Sequence, residues 1–320
     1  ESVKEIKAIT KFAVTGTPLE NSLADLWSIF DYCLPGYLKT YEIFKYEYEY
    51  DIVKFKDTAK INRLNKLVAP FILRRIKKDV LKELPDKLEQ VVYAKMDQEQ
   101  QQVYHATIEQ AKKQIMENSS NKMYIFSMLT RLRQICCHPK LYLQDYQGES
   151  AKLNLTLDLV ENSISGNHKI LIFSQFTSML AILQEELQKR NIQPFVLTGD
   201  TPAEKRYQMV EEFNQNPKIK VFLISLKAGG TGLNLTAADT VIHYDPWWNL
   251  SAENQASDRV HRIGQQKNVQ ILKVIVKDSV EEKILNLQML KKDLFNLVIG
   301  NEQEFVSKLT LNELLSLFND

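Results

Sequence analysis

The chain contains little cysteine and no long apolar run, and each shortage excludes a class of protein. Its 320 residues include three cysteines, two of them adjacent, and no Cys-x-x-Cys pair or Cys/His cluster with the spacing of a zinc site. A disulfide scaffold and a zinc module are therefore not expected. No apolar run reaches the roughly 20 residues of a membrane-spanning helix, and the N-terminus is charged rather than signal-like. We therefore expect an intracellular protein.

The chain also lacks an excess of charge and the short motifs of common nucleotide-binding enzymes. Its 41 basic and 40 acidic residues leave a net charge of +1, so any nucleic-acid surface must be a local patch. None of the ten glycines is followed by lysine, so the phosphate-binding loop Gly-Lys-Ser/Thr does not occur. No G-x-G-x-x-G fingerprint and no nucleophile–histidine–acid set stand out, which argues against an ordinary Rossmann enzyme.

The pattern that is present changes near residue 150. Before it, Leu19, Leu23, Leu26 and Phe30 predict an amphipathic helix, and residues 37–145 read mostly as helices with one strand-like stretch near 89–94. After it, short apolar strands alternate with helices. The predicted strands are 169–174, 194–199, 220–225, 240–245 and 269–276. This alternation predicts an α/β fold with a doubly wound parallel sheet, covered on both faces and preceded by a mainly helical segment.

Ligands of such sheets bind outside the carboxyl ends of the strands, so the residues that follow each strand are candidates. Gly229, Gly230 and Gly232 follow the strand 220–225 and would let backbone amides approach an anion, although a tight turn explains them equally well. Trp247 and Trp248 follow the strand 240–245, and two adjacent tryptophans on a loop are seldom both core residues.

The stretch QASDRVHRIGQ (255–265) carries two arginines three positions apart. The absence of proline and glycine from 252 to 263 predicts a helix that Gly264 ends. Its polar face would carry Gln255, Arg259 and Arg262, and its buried face Ala256, Val260 and Ile263. A charged helix face is usually only solvated, but the nearby glycine loop favours a role facing phosphate, because a guanidinium binds phosphate oxygens in pairs.

Six stretches occur in the order found in SWI/SNF-type ATPases, which are superfamily-two, helicase-like translocases on double-stranded DNA. They are TGTPLEN (15–21), FILRRIKKDVLKELPDK (71–87), LRQICCHP (132–139), ILIFSQF (170–176), LKAGGTGLNLTAADTVIHYDPWWN (226–249) and QASDRVHRIGQ (255–265). The chain resembles that family from about residue 10 to residue 300, and the last two stretches together are highly specific. The resemblance implies a RecA-like sheet of the P-loop NTPase type, belonging to the second of two lobes that clamp ATP and lie along DNA.

The resemblance also implies how the chain is divided. Residues 1–36 resemble the end of the first lobe, and 37–145 the family's helical insertion and linker. Residues 146–285 resemble the second lobe, the helicase C-terminal domain, and 286–320 a C-terminal brace with an acidic helical tail.

Site residues follow from the resemblance position by position. The arginine-finger positions are Arg259 and Arg262. The nucleotide positions are Gly230, Gly232, Asn234 and Gln255. The nucleic-acid positions are Ser174, Gln175, Arg206, Lys227 and Thr231. The positions that couple hydrolysis to DNA contact are Thr15, Gly16, Thr17, Trp247 and Trp248, and no residue of the chain is assigned to a metal.

The resemblance implies ATP with Mg²⁺ as cofactor, bound mainly by the first lobe. The Gly-Lys-Ser/Thr loop (Walker A) and the Asp-Glu pair (Walker B) of that lobe precede Thr15 in the family, and neither occurs here. We therefore expect a C-terminal piece of a larger DNA-dependent ATPase, a piece that hydrolyses little ATP alone. Implied partners are double-stranded DNA of any sequence and, depending on the organism, RNA polymerase or nucleosomes. We expect a monomer, associated with the nucleoid in a bacterium or nuclear in a eukaryote.

Two alternatives remain. The chain could come from a non-enzymatic regulator, a DNA- or protein-binding module built on a RecA-like lobe. An RNA helicase of the same superfamily is disfavoured by the stretches DPWWN and HRIGQ and by the long helical segment 37–145.

Overall fold

The computed structural model describes residues 5–6, 8–14, 23–55, 57–73, 75, 81, 83–117, 122–229, 232–247, 250–295 and 317–318. The chain divides into two compact units. The first comprises Glu1–Lys82 with Lys291–Val306, and the second Glu83–Leu290 with Ser307–Asp320. No helix in the described part of the chain is both long and apolar enough to cross a membrane.

The regular secondary structure described in the first unit is helical. Its elements are α1 (Leu23–Cys33), α2 (Tyr41–Phe44), a π-helical stretch (Lys45–Glu49), α3 (Tyr50–Phe55) and α4 (Thr58–Val68). The predicted amphipathic helix is confirmed as α1, whose Leu23, Leu26 and Phe30 are buried in the core of this unit. Phe12 and Val14, which precede α1 in the described part of the chain, do not share that core, because they are 83% and 99% exposed.

The second unit contains a six-stranded, all-parallel sheet in the order β1-β6-β5-β2-β4-β3. Its strands are β1 (Lys87–Ala94), β2 (Ile170–Ser174), β3 (Phe195–Leu197), β4 (Val221–Ser225), β5 (Thr240–His243) and β6 (Val269–Val276). Its helices are α5 (Gln98–Glu117), α6 (Lys122–Cys137), α7 (Ala151–Ser165), α8 (Thr177–Lys189), α9 (Ala203–Gln215), α10 (Leu226–Gly229) and α11 (Leu250–Ser257). The helix α12 (Val280–Phe295) begins in this unit.

Neighbouring residues of one strand pack on opposite faces of this sheet. Ile170 and Ile172 of β2 belong to a core shared with α7 and α8. Leu171 and Phe173 belong to a second core, shared with α9 and α11. The doubly wound parallel sheet predicted from the apolar strands is therefore confirmed, because both faces of its central strands are covered.

One strand comes from outside the predicted second lobe. The strand-like stretch near 89–94 forms β1, which pairs with β6 along its whole length, from Lys87 opposite Val269 to Ala94 opposite Val276. The compact unit accordingly begins at Glu83, well before the change of pattern near residue 150. As an edge strand, β1 keeps polar and exposed positions, which hides it from a search for continuous apolar runs.

The helix predicted over 252–263 is wrong in its second half, because α11 ends at Ser257. The carbonyl of Arg259 instead accepts a hydrogen bond from Leu235 N at 3.1 Å, and the carbonyl of Val260 accepts one from Gln265 Nε2 at 3.4 Å. The bond from Leu235 is tertiary, and it takes a carbonyl that a longer helix would need. Val260 is buried as predicted, but Ile263 is 74% exposed, so its predicted burial is wrong as well.

Candidate nucleotide and nucleic-acid site

The two arginines lie in a turn that follows α11, residues 258–264, here called the arginine turn. Arg259 Nε donates to the carbonyl of Gly229 at 3.2 Å, and Arg262 Nη1 donates to the carbonyl of Leu233 at 3.3 Å. Both guanidinium groups are half-buried and rest on the glycine-bearing segment 229–235. The structure thus brings the predicted arginine-finger positions to the predicted nucleotide segment, although not on the helix face expected from the sequence.

The arginine turn is electropositive. Burial lowers the pKa of Arg259, the nearby charge of Arg262 lowers it further, and Asp258 opposes both effects. The positive charges of Arg259 and Arg262 repel each other, so an anion bound between them would stabilise both charged forms. The donors of a guanidinium group also match the geometry of phosphate oxygens.

Two residues after the arginines explain the rest of the motif HRIGQ. Gly264 has φ +100°, a backbone conformation that side chains with a Cβ rarely adopt. The buried side chain of Gln265 donates from Nε2 to the carbonyls of Ala238 at 2.7 Å and Thr236 at 3.2 Å. The glycine lets the chain turn, and the glutamine fixes the turn to the segment that leads into β5. The sequence did not single out Gln265.

The glycines and neighbouring polar residues serve different ends. Gly229 is needed for packing, because a Cβ there would lie 2.8 Å from the Phe173 ring. Gly232, at φ +30°, is exposed, and so are the side chains of Lys227 and Asn234. Gln255 lies half-buried on α11. The predicted residues that lie outside the described ones are Gly230, Thr231, Thr15, Gly16, Thr17 and Trp248.

The loop after β2 holds Gln175 through a buried network. Ser174 is buried, and its hydroxyl accepts a hydrogen bond from Phe176 N at 3.1 Å. The carboxylate of Asp245, just beyond β5, accepts from Gln175 N at 3.2 and 3.3 Å. Burial raises the pKa of Asp245 to about 6, against the opposing charge of Arg133 and a hydrogen bond from Ser174. Ser174 therefore fixes the backbone next to Gln175 through its hydrogen bond with Phe176 N.

The predicted contact Arg206 braces a loop in the structure. Its guanidinium donates from Nε to the carbonyl of Thr201 at 2.7 Å, and from Nη2 to the carbonyls of Gly199 at 2.7 Å and Thr198 at 3.4 Å. These carbonyls belong to the loop that follows β3. Arg206 therefore holds the backbone of this loop in place. Its guanidinium group could contact a nucleic acid only next to the loop.

Trp247 lies half-buried against the core shared with α9 and α11. Its backbone N donates to Glu253 Oε2 at 3.4 Å, and Glu253 in turn pairs with Lys273 at 2.6 Å. On its other side, the carbonyl of Pro246 accepts a hydrogen bond from Arg133 Nη2 at 2.6 Å. The tryptophan loop is therefore tied to the sheet and to α6.

Sequence reasoning missed two buried groups near these loops. One is Arg133, which is 2% exposed and stands in the stretch LRQICCHP. The other is the fully buried ion pair of Lys152 with Glu281, in which Lys152 Nζ also donates to the carbonyl of Tyr244 at 2.8 Å. The one available signal was the position of Arg133 between the apolar residues Leu132 and Ile135 of a predicted helix. Within the described ranges, no group of three or more His, Cys, Asp or Glu side chains could hold a metal ion.

The fold and this arrangement define a class. A doubly wound parallel sheet with a glycine-bearing segment and an arginine turn over one face is the RecA-like lobe of a helicase-like ATPase. Two family models match the sequence: the SNF2-related domain over residues 1–141, and the helicase conserved C-terminal domain over residues 151–264. The chain belongs to the SWI2/SNF2 family of helicase-like ATPases.

Individual relatives agree with this assignment. A protein of Bacillus subtilis named putative ATP-dependent helicase/translocase YwqA is 38% identical over 99% of this chain and 35% of its own length. One of Mycoplasma pneumoniae named uncharacterized ATP-dependent helicase is 36% identical, over 99% and 30%. The Sulfolobus solfataricus SWI2/SNF2 ATPase core in complex with dsDNA matches with a TM-score of 0.63 and 36% identity, over 99% of this chain and 68% of that chain. This chain spans about a third of the curated relatives it matches.

Proposed function

We propose that the protein containing this chain couples ATP hydrolysis to movement along double-stranded DNA, and that Arg259 and Arg262 are its arginine fingers. One observation carries the proposal: both guanidinium groups are anchored on the glycine-bearing segment, at Gly229 and Leu233. A phosphoryl-transfer transition state spreads negative charge over its equatorial oxygens, and arginines held in place stabilise that charge.

The described residues suit the phosphates of ATP better than its metal. Gly232 and Asn234 are exposed beside the arginine turn, and we assign them with Gly230 and Gln255 to nucleotide contact. We assign no metal site to this chain, because the family resemblance places the Mg²⁺ ligands in the first lobe. We expect the ion to be held mainly by the first lobe, which carries the Walker A and Walker B residues in this family.

We assign contacts with the DNA backbone to Gln175, Lys227 and Thr231, and we propose that Arg206 and Ser174 hold neighbouring backbone in place. Gln175 stands at the carboxyl end of β2, and Lys227 is exposed just beyond β4. The S. solfataricus relative in complex with dsDNA supports duplex DNA as partner. Such contacts to phosphates would be independent of sequence and weakened by salt. Further protein partners, a monomeric state and a place inside the cell belong to the same proposal.

The proposal keeps the family's division of the chain. Residues 1–36 would close the first lobe, 37–145 would form the insertion and linker, 146–285 the second lobe, and 286–320 the brace and tail. Within 37–145, β1 adds an edge strand to the sheet of the second lobe. Thr15, Gly16, Thr17, Trp247 and Trp248 would couple hydrolysis to DNA contact. Residues 1–320 alone would hydrolyse little ATP, since the Gly-Lys-Ser/Thr loop is not among them.

The test is ATP turnover by the full-length protein, with and without duplex DNA. Arg262→Ala and Arg259→Ala should each lower the DNA-stimulated turnover by about 10³-fold, the lower range for arginine fingers. Arg190→Ala is the matched control, because Arg190 pairs on the surface with Glu161 and Glu186. Turnover that survives both substitutions would remove the fingers from the mechanism. A wild-type protein that binds DNA and hydrolyses no ATP would favour the non-enzymatic regulator.

A further inference from the structure

We propose that Arg133 is a positioning residue that joins the loop carrying Gln175 to the loop carrying Trp247, so that a contact at one loop reaches the other. Arg133 belongs to α6, outside the sheet on which both loops are mounted. The inference rests on the proposed function, because it names the link between the DNA-contacting and coupling loops of that function.

The geometry of the link is direct. Arg133 Nη2 donates to the carbonyl of Pro246 at 2.6 Å, one residue before Trp247. The guanidinium carbon of the same side chain lies 5.8 Å from the centroid of the Phe176 ring, one residue after Gln175. A single side chain thus touches the backbone of one loop and an aromatic ring of the other.

A second connection runs between the same two loops. Asp245, next to Pro246, accepts a hydrogen bond from Gln175 N at 3.2 Å, and it is fully buried. The positive charge of Arg133 acts on this carboxyl group against the effect of burial on its pKa. Arg133 therefore interacts with both the carbonyl of Pro246, which it binds, and the carboxylate of Asp245, which holds Gln175.

Arginine is the side chain that this position requires. Its planar group presents several donors and can lie over a ring while it binds a carbonyl, whereas the lysine ammonium is a compact point charge. Arg133→Lys should keep a cation near Asp245 and lose the simultaneous contact with both loops. The same helix offers a matched control in Arg131, whose guanidinium lies 5.8 Å from the Tyr142 ring, away from the two loops.

The first experiment measures ATP turnover by the full-length protein at saturating duplex DNA. Arg133→Lys should lower the DNA-stimulated kcat by about 10-fold, within the usual range of coupling between two sites, with little change in KM for ATP. Arg131→Lys should leave both constants at their wild-type values. Equal turnover for Arg133→Lys and wild type would overturn the inference, and so would an equal loss for Arg131→Lys.

A second experiment decides the inference even if the proposed function fails. Amide hydrogen exchange is followed in peptides that contain Gln175 and Trp247, in wild type, Arg133→Lys and Arg131→Lys. We expect the Arg133→Lys substitution to speed exchange in both peptides together. Faster exchange in only one of them, or in neither, would show that Arg133 does not join the loops, whatever the ATP turnover of the wild-type protein.

Discussion

Lys152 and the two arginines of the arginine turn are cations of the second unit in contrasting surroundings. The ammonium of Lys152 is fully buried, 2.7 and 2.6 Å from the two carboxylate oxygens of Glu281. The guanidinium groups of Arg259 and Arg262 are half-exposed and rest on the neutral carbonyls of Gly229 and Leu233. The charge of Lys152 is neutralised by its carboxylate partner and serves the fold, whereas Arg259 and Arg262 meet only neutral carbonyls in these bonds and keep a net charge that an anion can use.

The pKa directions follow this contrast. Burial lowers the pKa of Lys152, but the charge and hydrogen bond of Glu281, together with Cys136 and Cys137, raise it by more, so the pKa is raised overall. Burial and the charge of Arg262 leave the pKa of Arg259 lowered. The carboxylate of Glu281 therefore favours the charged form of Lys152, whereas Arg262 disfavours the charged form of Arg259.

The largest effect on stability should come from Glu281→Gln. It would leave the buried Lys152 without its counter-charge, and loss of one partner of a buried ion pair typically costs about 3–5 kcal/mol. Denaturant unfolding of the chain measures the loss. The double variant Lys152→Met with Glu281→Leu is the control, and it should recover most of the stability, because an apolar pair of similar volume removes both charges. A loss below about 1 kcal/mol for Glu281→Gln would show that the pair does not support the fold.

The two regions also differed in how far the sequence could predict them. The strands β2 and β4 are continuous apolar runs, so their positions and their coverage on both faces could be predicted from the sequence. The two arginines were recognised from their residue type and sequence surroundings. Their turn was not, because α11 ends at Ser257 and the carbonyl of Arg259 then accepts a hydrogen bond from Leu235 N. A hydrogen bond to another segment leaves no periodic signal.

The same reason explains the residues that the sequence did not reveal. Arg133 meets Pro246, and Lys152 meets Glu281, across more than a hundred residues of chain in each case. Likewise β1 finds its partner only in β6. Local periodicity cannot report such pairs, so the buried scaffold of the candidate site was the part least open to prediction.

A smaller effect should come from His261, which lies between the two arginines. Its Nε2 lies 2.9 Å from the carbonyl of Pro85, just ahead of β1, and a carbonyl partner requires that Nε2 carry the proton. His261→Ala should cost about 1 kcal/mol, the usual value of one hydrogen bond, measured by denaturant unfolding. His261→Gln should restore most of the loss, because its amide nitrogen extends about as far as Nε2. His261→Asn, whose side chain is shorter, should not restore it. Equal stability of the Gln and Asn variants would show that the hydrogen bond to the Pro85 carbonyl does not stabilise the protein.

The smallest effect on stability should come from Arg262→Ala. Arg262 is half-exposed and donates a hydrogen bond to the Leu233 carbonyl. Loss of this bond should change the unfolding free energy by less than about 1 kcal/mol. The same substitution should lower DNA-stimulated ATP turnover in the full-length protein by about 10³-fold. Unfolding and turnover measured together decide between the two kinds of cation. A stability loss as large as that of Glu281→Gln would make Arg262 a structural cation and erase the contrast, whereas lost turnover in a stable protein would confirm that its charge serves a ligand.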